Sequence, residues 1–345
     1  MTTIEWTQRP GTKGETWNPI RARNRKTGGV GHYCAHVSEG CRNCYAEAMQ
    51  RWRFNNPIRF GAQDIDQVEI FLDDKVLTQP LRWKKPRTVF VCSMTDLYGP
   101  WVPSIWIDKI KAVEALCPQH TFIELTKRPE RMRAWAQDRA EKLNLYDKTG
   151  GGPIVVALGA VCRMAGLSRD AARFLPFIDP QDGKWPLRNV WEGTSVEDHD
   201  TAQARIRELQ KVPAAVRWIS FEPMLGPIDC TFFDKPAFWK GIHWAVAGGE
   251  SGRGARPMHP DWPRWIRDRC QDAGVAFFFK QWGTYRPYRE GERTNVITEV
   301  QQDGRRWATD IMDPTGALMV EVGKKDAGRL LDGREWNEWP EVVFA

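Results

Sequence analysis

The chain has 345 residues, is 41% hydrophobic, and carries a formal net charge of +6 with a pI near 8.9. This length fits one α/β barrel with insertions, and the apolar share allows a sizeable core. No 18-residue apolar run occurs and Met1 to Pro10 is polar, which excludes a transmembrane helix and a signal peptide from the expectation, while the mild basicity suits an anionic partner such as nucleic acid.

Short apolar runs ending in polar turns recur along the chain. Thr16 to Ile20 leads toward a cysteine loop, and Thr88 to Cys92 runs into Ser93-Met94-Thr95-Asp96. Thr121 to Leu125 precedes Thr126-Lys127-Arg128-Pro129, and Asn189 to Trp191 precedes Gly193-Thr194-Ser195-Val196-Glu197. Val216 to Ser220 precedes Phe221-Glu222-Pro223, Ile242 to Ala247 precedes Gly248-Gly249-Glu250, and Val275 to Phe279 precedes Lys280-Gln281-Trp282-Gly283. Their Val, Ile, Phe and Trp content, bounded by Gly, Pro, Ser or Asp, reads as strands. Helical spacing appears in Ser104 to Leu116, Thr201 to Leu209 and Trp262 to Ala273. Strand alternating with helix implies a parallel sheet. Six or seven such units predict a full or partial (β/α) barrel over residues 1–283, with its chemistry at the C-terminal strand ends. The pattern weakens at about 137–187, read as an insertion whose flanks are the glycine run 150–152 and Pro176 to Lys184. Residues 284–345 read as an extension packed on the barrel, with a strand at Leu318 to Val322 and a final helix at Lys324 to Leu331.

Eight cysteines are present. Cys92, Cys117, Cys162, Cys230 and Cys270 are scattered and read as inert buried thiols. Cys34, Cys41 and Cys44 are clustered, and Tyr45 follows at once. In a cytosolic chain such a cluster points to a metal site rather than to disulfides. Three thiolates leave one position of a four-ligand site open. A structural zinc would need a fourth ligand, for which His32 and His36 are the candidates. A [4Fe–4S] cluster on three thiolates instead keeps one iron free for a small molecule, the signature of radical S-adenosylmethionine (SAM) chemistry.

The motifs resemble the phage- and prophage-borne three-cysteine proteins grouped as radical-SAM-like. The likeness rests on Ile4-Glu5-Trp6-Thr7, Thr16-Trp17-Asn18-Pro19, Cys34 through Glu47, Ser93 through Asp96, Leu125 through Met132 and Gly193 through Glu197. It continues in Glu222 through Pro227, Gly248 through Gly252, Phe278 through Gly283 and Ala327 through Trp336, and so covers most of the chain. Two departures are the basic segment Arg21 to Gly31 and the insertion near 137–187. The Cys-x6-Cys-x2-Cys spacing is also longer than the commonest radical-SAM pattern.

The resemblance implies a radical-SAM-like barrel in which Cys34, Cys41 and Cys44 hold a [4Fe–4S] cluster that binds SAM. An external electron donor would reduce it, and a deoxyadenosyl radical would abstract a substrate hydrogen. Asp96, beside Ser93 and Thr95, is the favoured acceptor for the SAM amino group; capping a helix is the competing role. Lys127 or Arg128 would pair the carboxylate, and Ser195 and Glu197 would take ribose hydroxyls or cap the helix around Thr201. Glu222, Glu250 and Lys280 are catalytic candidates for substrate binding or proton transfer, with a Glu222–Lys280 ion pair as the structural alternative. The pair Gly248-Gly249 is read as permitting a tight turn.

The groups Arg21, Arg23, Arg25, Lys26 and Arg82, Lys84, Lys85, Arg87 are candidates for phosphate contact. With 18 tryptophans, read mainly as core and otherwise suited to base stacking, they make DNA or a nucleotide the expected substrate. The phage context implies action in the host cytoplasm on a hypermodified thymine base. The alternatives are a radical SAM enzyme acting on RNA or a small molecule, and a zinc-stabilised nucleic-acid-binding protein without redox chemistry. The oligomeric state is left open.

Overall fold

The computed structural model describes residues 4–54, 56–144, 153–167, 186–228, 236–292, 297–304, 306–308 and 316–341. Cys230 and the expected loops at 150–152 and 176–184 lie outside these residues. Seven parallel strands form a half-barrel: β1 (Lys13–Trp17), then, after a small β2–β3–β4 sheet, β5 (Arg87–Val91), β6 (Thr121–Thr126), β7 (Val190–Ser195), β8 (Val216–Phe221), β9 (Trp244–Gly248) and β10 (Ala276–Gln281). They pair in the order β1-β5-β6-β7-β8-β9-β10, every contact parallel. Helices cross between them: α3 (Ser104–Ala115) after β5, α4 (Pro129–Asn144) and α5 (Pro153–Met164) between β6 and β7, α6 (His199–Gln210) after β7, and α8 (Asp261–Ala273) after β9. The expected strands recur within one to four residues of their predicted ends. No helix among the described residues is long and apolar enough to cross a membrane.

Two-residue periodicity sorts the strand side chains into two layers. Val89, Val91, Phe122, Ile219, Phe221, Ala245, Phe277 and Phe279 face the helices. Phe90, Ile123, Trp191, Trp218, Trp244, Val246 and Phe278 face the concave side. Trp6 closes that interior from below. Its ring centroid stands 4.8 Å from Phe90, 5.3 Å from Trp218 and 6.0 Å from Trp244. Indole rings therefore fill the lower half of the barrel, which is where several of the tryptophans are spent.

The first expected strand, Thr16 to Ile20, straddles two elements. Proline at position 19 has no N–H for a ladder, so the chain leaves β1 and enters β2 (Ile20–Asn24) in another sheet. That sheet is antiparallel, with β3 (Val30–Gly31) and β4 (Val68–Leu72) on either side of β2, so the basic segment 21–31 is a hairpin. Helix α1 (Tyr45–Arg53) follows the cysteines, and a short α2 (Asp74–Leu77) follows β4. Another short helix, α7 (Pro236–Trp239), precedes β9.

Residues after β10 build a four-stranded antiparallel sheet of β11 (Tyr285–Pro287), β14 (Ala317–Glu321), β12 (Ile297–Val300) and β13 (Arg306–Ala308). The final helix is a short α9, Lys324–Ala327, rather than Lys324 to Leu331: Gly328, at φ 70°, turns the chain out of it. The chain then returns along the free edge of β10. Phe279 N donates to Trp336 O at 3.0 Å and Glu338 N to Phe277 O at 3.1 Å. Trp339 Nε1 reaches Trp6 O at 3.1 Å. An edge that would otherwise present unpaired backbone is thereby covered.

Candidate functional site

Continuing the inward phase past the aromatic layer places Ser195 at the end of β7 and Glu197 just after it, Ser220 on β8 and Glu222 just after it, Gly248 at the end of β9 and Glu250 beyond it, and Lys280 on β10 around the C-terminal mouth. Glu222, Glu250 and Lys280 thus belong to one rim. Glu222 Oε1 pairs with Lys280 Nζ at 2.9 Å, and Ser220 Oγ donates to Glu222 Oε2 at 3.2 Å. This pair keeps some solvent contact, 14% and 21% of the two side chains. A Cβ on Gly248 would lie 2.6 Å from Glu222 Oε1, so glycine there makes room for the carboxylate. Gly249 and Gly283 instead allow the backbones at the ends of β9 and β10 to touch, through Trp282 O and Glu250 O. The Gly-Gly pair therefore serves close approach rather than a tight turn.

The segment carrying Cys34, Cys41 and Cys44 lies across this mouth, tied to it at several points. Ser38 Oγ donates to Glu197 Oε1 at 3.0 Å, and Asn43 Nδ2 donates to Glu250 Oε2 at 3.0 Å. Arg128 Nη2 donates to Ala35 O at 3.0 Å while its guanidinium stands 4.9 Å from the Trp101 ring. Thr95 Oγ1 donates to Tyr33 O, and Tyr45 Oη donates to Ser93 O. Gly40 packs against Glu197 so closely that a Cβ would meet its Cγ at 2.5 Å. Cys34 and Cys44 share an apolar wall of Ala46, Phe60 and Met94.

Cys34, Cys41, Cys44 and Cys92 are free thiols. Burial pushes the Cys34 thiol up, and the neighbouring Asp96, Cys44 and Cys41 add to that rise. Burial also raises Cys44. Ionising Cys34 and Cys44 together in these buried places calls for a compensating cation. Among the described residues, no three His, Cys, Asp or Glu side chains are gathered as a ready ligand set. The donor chemistry suits a thiophilic metal or cluster, and closing on one would require the loop to draw its sulfurs inward. The histidines considered for zinc are engaged elsewhere. His36 Nε2 bonds Glu47 Oε2 at 2.8 Å. His32 Nδ1 bonds Ile20 O at 3.0 Å, the ring packs on Phe54, and burial lowers its pKa to about 4.

Asp96 is surrounded by donors. Its Oδ1 accepts from Thr126 Oγ1 at 2.6 Å and Tyr98 N at 2.9 Å; its Oδ2 accepts from Arg128 Nη1 at 2.8 Å and Lys127 N at 3.2 Å. It knits the β5 and β6 turns together. Ser93 Oγ exchanges hydrogen bonds with the Asn18 side chain, and Met94 N donates to Asn18 Oδ1 at 3.0 Å.

Glu197 is almost fully buried and bonds Lys127 Nζ on one oxygen and Arg205 Nη1, at 2.9 Å, on the other. Burial alone would raise its pKa; the two cations and Ser38 hold it below the usual glutamate value. Ser195 presents its carbonyl to Arg205 Nη1 at 2.8 Å. The helix after β7 is capped by Asp198 in a reciprocal box with Thr201, not by Ser195 or Glu197. Glu250 accepts three bonds from Arg256, from its N, Nε and Nη2 at 2.8, 2.9 and 2.7 Å. Burial would raise this carboxyl too, but Arg256 and Asn43 bring it below its ordinary range.

Asn18, Ser38, Asn43, Arg205 and Arg256 are the site residues that sequence reasoning did not single out. Asn18, Ser38 and Asn43 sit inside the quoted motifs, a signal that could have been used. Arg256 gave none: Glu250 lies six positions before it in an irregular loop with no periodicity to pair them, and its further partner Glu39 lies 217 positions away.

The basic groups read as phosphate candidates are largely engaged. Arg23 pairs with Glu69 at 2.9 Å and Arg21 with Asp73 at 3.7 Å, while Arg25 Nε donates to Val68 O at 3.1 Å. Arg87 pairs with Glu15 at 2.6 Å and stacks on Trp83, at the end of β5 away from the mouth. A family model described as a protein of unknown function, DUF5131, matches residues 1–340. No curated protein and no solved structure matches the chain.

Proposed function

The chain belongs to the DUF5131 family of proteins of unknown function; from its own residues we propose that it is a radical SAM enzyme whose [4Fe–4S] cluster is held by Cys34, Cys41 and Cys44. The observation that carries this reading is the placement of three free thiols on one segment strapped over the C-terminal mouth of an all-parallel half-barrel. Ligands of α/β barrels bind at that end of the strands. Three thiols leave an iron for the amino and carboxylate groups of SAM, and a cluster bound there would supply the electron that splits SAM and starts hydrogen abstraction.

The residues divide into two kinds. Glu197 and Glu250 are positioning residues: Lys127 and Arg205 pair the first, Arg256 pairs the second, and each takes one contact from the cysteine segment. Asp96 likewise holds the Arg128 guanidinium, which in turn holds Ala35 O beside the first cysteine. Glu222 and Lys280 remain reachable from the mouth and offer opposite charges 2.9 Å apart. They suit recognition of the SAM ammonium or carboxylate, or proton transfer to substrate at Lys280 Nζ or Glu222 Oε1. Ala46, Phe60 and Met94 exclude water beside the thiols. The substrate we propose is a base in phage DNA, in line with the motif resemblance and the net charge of +6.

Anaerobic reconstitution followed by iron and sulfide analysis tests the reading. About four irons and four sulfides per chain, with 5′-deoxyadenosine released on adding dithionite and SAM, are expected. One zinc per chain in a colourless protein after the same treatment would sink it and favour a zinc-stabilised binding protein.

A further inference from the structure

Helix α1 leaves the third cysteine directly, and its outward face carries the two large aromatic side chains that stand exposed among the described residues. Trp52 is 86% exposed and Tyr45 52%, whereas Trp6, Trp17, Trp191, Trp218 and Trp244 are buried. Positions 45, 48 and 52 share one helical face, with the two rings about 10 Å apart along the axis. Arg51 and Arg53 flank Trp52 and are exposed, as is Arg42 just before the helix. No hydrogen bond or ion pair engages these three guanidinium groups among the described residues, in contrast to Arg21, Arg23 and Arg87. The helix has one acid, Glu47, turned inward to His36 and to Phe60 N. The face is therefore aromatic and cationic with no carboxylate of its own.

We propose that this face of α1 binds single-stranded nucleic acid, Trp52 stacking on a base and Arg42, Arg51 and Arg53 holding phosphates, and so leads the strand to the cysteine segment. The direction follows from Tyr45, whose hydroxyl is bonded to Ser93 O at the end of β5, on the rim of the mouth. A single strand is favoured over a duplex because a protruding ring needs a base with a free face. A membrane surface is disfavoured because the helix has nine residues and its outward face holds only Tyr45, Ala48 and Trp52 as apolar groups. The proposal rests on the substrate reading above but not on the cluster.

The test is fluorescence anisotropy with a labelled oligodeoxythymidylate of about sixteen nucleotides, on the full chain at low and moderate salt. Trp52→Ala should weaken binding by about five- to a hundredfold, and Trp52→Phe should retain most of it. The double variant Arg51→Ala, Arg53→Ala should flatten the log–log salt slope by about 1.4. Since all three side chains are exposed, melting temperatures should match the wild type. No binding at low salt, Trp52→Ala binding as well as wild type, or equal affinity for a blunt duplex would overturn the proposal. Iron content measured on the same preparations separates the two readings. Oligonucleotide binding without a cluster keeps this surface and sinks the cofactor reading; a loaded cluster without binding does the reverse.

Discussion

Ser38 Oγ, between the first two cysteines, donates to Glu197 Oε1 at 3.0 Å across 159 positions of sequence. One buried carboxylate thus serves both the barrel and the cysteine segment, since Lys127 and Arg205 bond the same group.

Glu197→Gln keeps the shape and removes the charge, leaving two largely buried cations without their partner. We expect a loss of about 3 kcal/mol in unfolding free energy, read from denaturant titration, and faster reaction of Cys41 with a thiol reagent. Because the folded pKa of Glu197 lies below its ordinary value of 4.5, its contribution is present above that pH and fades as pH falls through the depressed value. Wild type and variant should therefore converge in stability in acid; an unchanged gap would show that the charge is not what stabilises.

A second buried network lies between β6, β7 and α3. Lys111 Nζ meets Glu192 at 2.8 Å, Glu124 at 2.9 Å and Glu114 at 3.6 Å, all nearly without solvent contact. Burial and the neighbouring Glu124 raise the Glu114 pKa well above 4.5. A proton on Glu114 makes one of its two oxygens, neither of which otherwise has a hydrogen-bond partner, a donor toward the neighbouring Glu124 carboxylate. The folded state then binds a proton that the unfolded chain releases, so stability falls as pH rises above 4.5. Glu114→Gln should match wild type at about pH 5 and be the more stable at about pH 8. A variant less stable at both would mean that Glu114 is ionised in the fold.

Cys34→Ala, Cys41→Ala and Cys44→Ala should each abolish iron loading and 5′-deoxyadenosine release. Cys92→Ala should preserve both, since Cys92 packs in the core outside the cysteine segment. Iron loss in that variant alone would place the ligand set elsewhere.

Trp6→Ala empties the floor of the half-barrel, where one indole touches residues of β5, β8 and β9. The expected cost is about 3–5 kcal/mol, measured by thermal or denaturant unfolding. A change under about 1 kcal/mol would mean that the neighbouring rings collapse into the gap.

The strand cores from Thr88 onward and helices α3, α6 and α8 were legible in the residues, because two- and 3.6-residue periodicity is local information. So was the cluster of thiols. The junction at Asn18 and Pro19 was misread: a run of β-formers looks continuous until the proline ends one ladder and a different sheet takes up the next residue. Helix α1, and with it the exposed Trp52, was not anticipated, since nine residues with mixed polarity give a weak period.

Sequence alone determined which residues have the chemistry, and the alternation that puts them at strand ends. Only the tertiary structure decided who pairs with whom. It satisfied Asp96 with four donors and set Glu197 and Glu250 to hold the cysteine segment, while the Glu222–Lys280 pair that it forms is the alternative already offered by the sequence. The reason is physical: a buried charge must find a partner, and the partner is whichever side chain the fold brings within about 3 Å, however far away it lies in the chain.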